Sequence, residues 1–491
     1  MDSTRIRSKL PGPPPPLRGC PLSTIMLDRS FLRDAESHSD DAFDASVPVS
    51  SVDFFLSHSW SADGFWKQMA IFICSSTSAT YKIMVFSSVA ASYLFVFGGR
   101  YRWREELIVS CLGFVSFLIS LVVIPLYNQR NTIVFLDKCC IQQKDPTAKS
   151  YGISRLAEYL RASDKLLVLW SPDYLDRLWC VYELAVFLRT HDKEDVVVVN
   201  LDHLKLCVTL MLTQFMSILI LDLAEEYILS TNLYHIGVVL GLATSLFIGH
   251  GAFACNEEWQ SFCSSVKCFR VRKAKCSSTA DYSRLKKLIT DMYGSEAEFE
   301  AVVKGLCLGQ GKNKHVPTWL FSRALLRLML APHIPLFVAR TFSLAAIIRG
   351  ESTPTVKLYD PDEAPEPLPS IALAAFWDLR ASTIPILMMS FRTPLMLLVG
   401  HELAITWIFK KMGRWYLGIT FAITFGAYNC LTQVVCGLHL FYHPIHRAPI
   451  SGWINEGSLW ITGIGAAALI FSLLRSSYPY DLPNASSKNN E

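Results

Sequence analysis

Six to eight separate apolar runs, each close to the length that crosses a bilayer, are the strongest constraint this chain carries. A helix that spans the hydrocarbon layer needs about 20 mostly apolar residues. Residues 81–97, 107–127, 233–255, 384–409, 415–438 and 458–474 qualify, and 206–221 and 319–348 are further candidates. One such run can be a buried core helix. Six to eight in one chain exceed what a single domain can cover, so the pattern predicts a multi-pass membrane protein whose main partner is the lipid bilayer. The bulk composition agrees: of 491 residues 51% are hydrophobic and 18% charged, against about one quarter charged in soluble domains. The 46 basic and 42 acidic residues leave a net charge of +4. Without a basic patch interleaved with aromatics, that balance excludes nucleic acid as the expected partner.

The runs also divide the chain. Residues 1–50 are polar and rich in proline, with Pro11, Pro13, Pro14, Pro15 and Pro16, and are expected to be a disordered tail without a secretory signal. A membrane hairpin is expected over 78–128 and a second over 204–255. Residues 319–348 carry Arg323, Arg327 and Arg340; they can span, lie in the interface as an amphipathic segment, or form a kinked hairpin at Pro332 and Pro335. An acidic, proline-rich linker over 349–380, three transmembrane helices over 384–475 and a disordered tail over 476–491 complete the expected order. Within that last membrane block, Arg392, His401 and Glu402 are expensive in lipid. His401-Glu402 lacks a second histidine, since residue 405 is Ile405, so no zincin site is expected. The fourteen cysteines show no paired metal-ligand spacing and read as reduced thiols, with no metal site.

Between the runs the pattern alternates strand and helix. Residues 52–57 and 132–136 are strand-like, 153–161 is helix-compatible, and 165–170 and 196–200 are continuous apolar strands of the kind buried on both faces. Ser171-Pro172-Asp173 offers a cap, a first-turn proline and a first-turn acid for a helix running to about Arg189. Residues 266–274 are expected to form a fifth strand and 281–293 its following helix. This alternation predicts an α/β, doubly wound, flavodoxin-like domain over 51–73 and 131–201, with its last strand and helices over 262–310, interrupted by transmembrane hairpins and joined to an α-helical membrane domain. Ligands of such sheets sit at the carboxyl ends of the strands, where Ser57, His58, Asp137 and Ser171 fall. On the helix that follows, Trp179, Glu183 and Phe187 make one row. If that row is buried, the carboxylate between two rings has a raised pKa and acid–base or hydroxyl-binding capacity; otherwise it is a half-exposed glutamate on an amphipathic helix.

These stretches resemble a known family. Asp53-Phe54-Phe55-Leu56-Ser57-His58-Ser59, with Asp63 after it, looks like the opening box of Toll/interleukin receptor (TIR) domains. Ser171 to Leu184, S-x-x-Y-x-x-x-x-W-C-x-x-E-L, is similar to the third-helix motif of plant-type TIR domains, and Val134 to Lys138 stands where the second strand and its loop would stand. The resemblance covers about 52–73 and 131–201. It implies that Glu183 occupies the position of the catalytic glutamate of those members that break the nicotinamide–ribose bond of NAD. Ser57, His58, Asp137, Tyr174 and Trp179 would then contact the nucleotide. NAD would be substrate, and no cofactor is implied. The resemblance equally implies self-association, as in members that act as non-enzymatic interaction scaffolds. A transporter or channel with a regulatory TIR-like domain is the third reading, resting on the charged residues of the last membrane block. Arg177 stands where the family usually has a small residue.

Basic residues favour the cytosolic side. Lys410, Lys411 and Arg414 place their loop there, and the acidic stretch 360–369 lies opposite. Both termini and the TIR-like domain are then cytosolic, where NAD and reduced thiols belong, and the sequon Asn484-Ala485-Ser486 stays unused. The loop with Arg100, Arg102 and Arg104 runs against this placement.

Overall fold

The computed structural model describes residues 15–33, 40–98, 103–227, 231–276, 278–308, 323–348, 399–400, 403–404 and 411–424. Within them the chain is mostly helical around one six-stranded mixed sheet, ordered β2-β1-β4-β3-β5-β6. The strands are β1 (Leu17–Pro21), β2 (Val47–Val49), β3 (Val52–His58), β4 (Ile133–Phe135), β5 (Ser163–Trp170) and β6 (Val196–Asn200). β4, β3, β5 and β6 are mutually parallel, and β1 runs antiparallel to both β2 and β4. The central strands form because their apolar residues are covered on both faces. Phe54, Phe55 and Leu56 of β3 and Leu166 to Trp170 of β5 are all buried, and Phe55 stacks on Phe135 at 4.5 Å.

The first 50 residues are not wholly a disordered tail. From Leu17 onward the chain makes β1, a short helix α1 (Leu22–Leu27), a second, α2 (Asp40–Asp44), and β2. Cys20, Leu22, Ile25, Met26, Phe31 and Leu32 join the core. Such a short apolar pattern between prolines has no visible partner in the sequence, but it caps the open edge of β4, which would otherwise leave strand N–H and C=O groups unpaired. A Cβ on Gly19 would lie 2.2 Å from Ile133 Cγ2, so only glycine admits β4 at that register. Residues 1–14 and 34–39 lie outside the described residues.

Helix α3 (Gly64–Phe97) follows β3, and α4 (Trp103–Asn128) returns against it. α3 is one unbroken helix whose first turns pack in the sheet's core, with Ala70, Ile71, Ile73 and Cys74 buried. The expected boundary between 73 and 78 therefore falls inside a helix. Then come α5 (Asp137–Cys140), α6 (Pro146–Ser154), α7 (Leu156–Arg161), α8 (Leu178–Thr190), α9 (Leu201–Tyr227), α10 (Thr231–Cys268), α11 (Thr279–Tyr293), α12 (Glu296–Leu308), α13 (Arg323–Leu330) and α14 (His333–Ile348).

Among the described residues, three helices are long and apolar enough to cross a membrane: Gly64–Phe97, Glu105–Asn128 and Leu201–Ile220. α13 and α14 make a fourth only if taken as one span, because they are bent by 52°. The break falls at Pro332, which cannot continue the backbone hydrogen bonding, and gives a bend, not the reversal of a hairpin. Run 233–255 forms part of α10. Run 384–475 is described only at 399–400, 403–404 and 411–424, and 349–380 and 476–491 lie outside the described residues.

The expected fifth strand at 266–274 does not form. α10 continues to Cys268, and Val271–Lys273 is a single 3-10 turn. The reason is visible at Val271, whose N–H donates to Glu300 Oε1 at 3.0 Å while Arg270 pairs with the same carboxylate at 3.2 Å. A side chain has taken the donor that a strand ladder would need. What remains of pairing is one bridge between Arg177 and Lys275.

Among the candidate spans, α3, α4 and α14 meet at Gly113, where a Cβ would lie 2.2 Å from Ser88 Oγ and 2.6 Å from Pro335 Cβ. Small residues let membrane helices approach closely. Gly113→Val is expected to destabilise by about 1–3 kcal/mol through overpacking, read as a lower thermal midpoint in detergent; an unchanged midpoint would mean the three helices do not approach this closely.

Candidate functional site

The carboxyl ends of β3, β4 and β5 converge on one buried polar cluster. β3 delivers Ser57 and His58, β4 ends two residues before Asp137, and β5 ends at Trp170 ahead of Tyr174. The expected helix start at Ser171-Pro172-Asp173 is displaced. Tyr174–Asp176 is a 3-10 turn, Arg177 is extended, and α8 begins at Leu178. The bridge to Lys275 holds Arg177 out of the helix, so Asp173 does not complement the helix dipole. Its carboxylate instead accepts from Ser59 and Ser61, both at 2.6 Å, and from Ser171 at 2.7 Å. Burial pushes this carboxyl up, but those three hydroxyls pull it below its ordinary value. Reading the sequence missed this cluster. Its signal was the spaced serines just after a strand end, facing an acid in the next loop.

Glu183 lies on the second turn of α8. Ser57 Oγ donates to Glu183 Oε2 at 2.5 Å, and the Tyr174 hydroxyl sits 2.7 Å from Ser57 Oγ. A serine has one proton. While the Glu183 carboxylate is ionised that proton is committed to it and Tyr174 donates to Ser57; when Glu183 is protonated the chain can run the other way. Both supporting residues are fully buried, Ser57 at 1% and Tyr174 at 0% exposure, so they stand behind the carboxylate. Burial pushes the Glu183 carboxyl up to about 8; the Ser57 hydrogen bond pulls it down, Asp137 adds a like charge and Arg177 an opposing one. Burial, then the charges of Cys180 and Glu183, hold the Tyr174 hydroxyl well above its ordinary range.

Asp137 opens α5 and is also raised by burial, opposed by its hydrogen bonds to the Lys138 N–H and the Trp60 side chain. His58 meets Trp60 edge-on at 4.4 Å. Burial, then Lys67, lowers it well below the ordinary histidine value, against a backbone contact at Leu56, so its imidazole is neutral. Trp179, one turn before Glu183, is half-buried with its ring edge to Tyr182 at 6.1 Å. The remaining member of the sequence row, Phe187, is fully buried and stacks on His191 at 4.2 Å. Ser57, Tyr174 and Glu183 are thus joined directly; Asp137 and His58 share the cluster through Trp60, and Trp179 stands on its flank. Lys67 of α3, fully buried with its Nζ 3.3 Å from the Leu32 carbonyl, and Trp60 belong to the same cluster and carried no motif.

Among the described residues no group of three or more His, Cys, Asp or Glu could hold a metal. Chemically the arrangement offers two raised carboxyls, Glu183 and Asp137, a hydroxyl relay behind Glu183 and a neutral imidazole nearby. Removing the Ser57 hydroxyl by Ser57→Ala is expected to push the Glu183 carboxyl above 8 and to move the pH dependence of unfolding upward with it. An unmoved profile would mean that the hydroxyl does not hold the carboxylate. No protein-family model, curated protein or solved structure matches this chain.

Proposed function

We propose that this chain is a multi-pass membrane protein whose sheet forms a doubly wound, TIR-like domain on the cytosolic face, and that the domain cleaves NAD with Glu183 as the reactive carboxylate. The observation that carries the reading is the half-buried Glu183, its carboxyl held by Ser57 at 2.5 Å at the carboxyl ends of parallel strands. A carboxyl with a pKa of about 8 is mostly protonated at neutral pH. The positive nicotinamide ring of NAD brought beside it would favour the ionised form, as a nearby opposite charge does. The carboxylate then stabilises the oxocarbenium-like ribose as the C–N bond breaks, much as in glycoside hydrolysis. The bond electrons leave with neutral nicotinamide, water adds to the ribose carbon, and one proton is released.

A non-enzymatic interaction scaffold that self-associates through this domain is the second reading. It is favoured by the burial of Ser57 and Tyr174, which satisfies Glu183 from within the protein. The two separate on one measurement: nicotinamide release from NAD by the purified full chain, beside Glu183→Gln. Release by the wild type that is lost in the variant supports the hydrolase. Equal rates, or no release at any protein density, favour the scaffold.

A further inference from the structure

α10 has 38 residues, about 57 Å of helix, nearly twice the hydrocarbon thickness of about 30 Å. Its N-terminal part holds the run expected to cross the bilayer. Its C-terminal part reaches the end of β5, where Trp259 stacks on Phe262 at 5.2 Å and Phe262 meets Trp170 edge-on at 4.7 Å. Trp170 contacts Tyr174 at 5.2 Å, and Tyr174 is hydrogen-bonded to Ser57 behind Glu183 at 2.7 Å. All four aromatic side chains are at most 8% exposed, so a displacement of Phe262 has no void to relax into.

A second route starts from the end of the same helix. Seven residues after Cys268, Lys275 clamps the start of α8. Its N–H donates to the Asp176 carbonyl at 2.6 Å, and its carbonyl accepts from the Leu178 N–H at 2.9 Å. On the membrane side, α10 is gripped by the segment 411–424. Gly249 and Gly418 are in backbone contact, with a Cβ on Gly249 only 2.7 Å from Gly418 Cα, and Arg414 pairs with Glu257 at 2.5 Å, one half-turn before Trp259.

We propose that α10 is a lever that regulates the Glu183 site. Movement of this helix in the bilayer is transmitted to Glu183 through Phe262, Trp170, Tyr174 and Ser57, and to α8 through the Lys275 clamp. The proposal rests on the membrane-spanning reading and on Glu183 as the reactive group. Spatial continuity alone is not coupling; the two-state element in this proposal is the Ser57 hydroxyl, which here bridges Tyr174 at 2.7 Å and Glu183 at 2.5 Å and whose hold on Glu183 would change when Tyr174 is displaced. The charged and titratable groups around Glu183 are Asp137 from α5, Arg177 ahead of α8, and Tyr174 and Cys180.

The test uses the full chain in nanodiscs of short-chain and of long-chain phosphatidylcholine, which change the tilt of a spanning helix. Glu183 is labelled with a hydrophobic carbodiimide, which reacts with protonated buried carboxyl groups, and its modification is followed by peptide mass spectrometry. With labelling carried out at about pH 9.5, well above the carboxyl's value of about 8, wild type is expected to differ between the two bilayers by roughly threefold in labelling rate, the change that about half a unit in the carboxyl equilibrium produces there. Phe262→Ala, or Phe262→Leu should the alanine variant not fold, is expected to flatten that difference. Equal labelling of wild type in both bilayers, or an undiminished difference in the folded variant, overturns the lever. Nicotinamide release is measured on the same samples. Absent release with an intact bilayer effect would remove the hydrolase reading and leave the lever standing.

Discussion

Glu183→Gln is expected to make the protein more stable while removing the proposed NAD cleavage. The sign follows from the raised carboxyl. In the folded chain burial holds the group at about 8, against roughly 4.3 in an unfolded chain. Between those values the folded state binds the extra proton. Stability therefore falls as pH rises from the unfolded value to the folded one and is flat above it. Part of the Glu183 side chain is reached by solvent, which reduces the loss to about 3 kcal/mol across that window. Glutamine keeps the shape and a hydrogen-bonding carbonyl for Ser57 but cannot ionise. Its unfolding profile should lose the downward slope between about pH 4 and 8 and lie above wild type at pH 8. Nicotinamide release should fall by a factor on the order of 10³ or more, as when a charge-stabilising group is removed from a reaction centre. A destabilised Glu183→Gln with the wild-type slope would show that the carboxyl is solvated and ordinary.

The second large effect lies among the candidate membrane helices. Glu106 of α4 and Arg340 of α14 pair at 2.7 Å, with side chains 6% and 17% exposed. Seven residues along α4, Gly113 meets Pro335 of α14, so the two helices are joined at two levels. Arg340→Ala strips the buried Glu106 carboxylate of its guanidinium and is expected to cost about 3–5 kcal/mol. The double variant Glu106→Ala/Arg340→Ala should recover much of that loss, because removing both charges leaves none to desolvate. The readout is a double-mutant cycle of thermal midpoints in nanodiscs. Additive single losses would show that the two charges do not interact, and α14 would then be held by apolar packing alone.

Much of the sheet was legible because its signal is local. Continuous apolar stretches such as Leu166 to Trp170, all buried, and Val196 to Val199, buried except at the half-buried Val198, need no knowledge of neighbours to be read as strands. The ends of β3, β5 and β6 fall within a residue or two of the sequence expectation. The N-terminal hairpin was missed because Leu17–Pro21 and Val47–Val49 are short and proline-flanked, and only the open edge of β4 makes them strands. The expected fifth strand was lost because Glu300, 29 residues further on, captures the Val271 N–H.

The candidate site divides the same way. The row of Trp179, Glu183 and Phe187 follows from the helical period, so the sequence determined that a carboxylate stands between two aromatic positions on one helix. Whether that carboxylate is ordinary depends on burial and on partners distant in the chain. Ser57 is 126 residues from Glu183 and Tyr174 is 117 from Ser57. Composition and periodicity likewise determined that this chain carries helices apolar enough for a membrane, since transfer free energy depends on the residues themselves. Only the tertiary structure decided that α3 runs unbroken from the sheet's core, that Glu106 has Arg340 across from it, and that α10 ends against the residues behind Glu183. Those outcomes are set by which surfaces meet, and desolvation and hydrogen bonding take their magnitudes from that meeting.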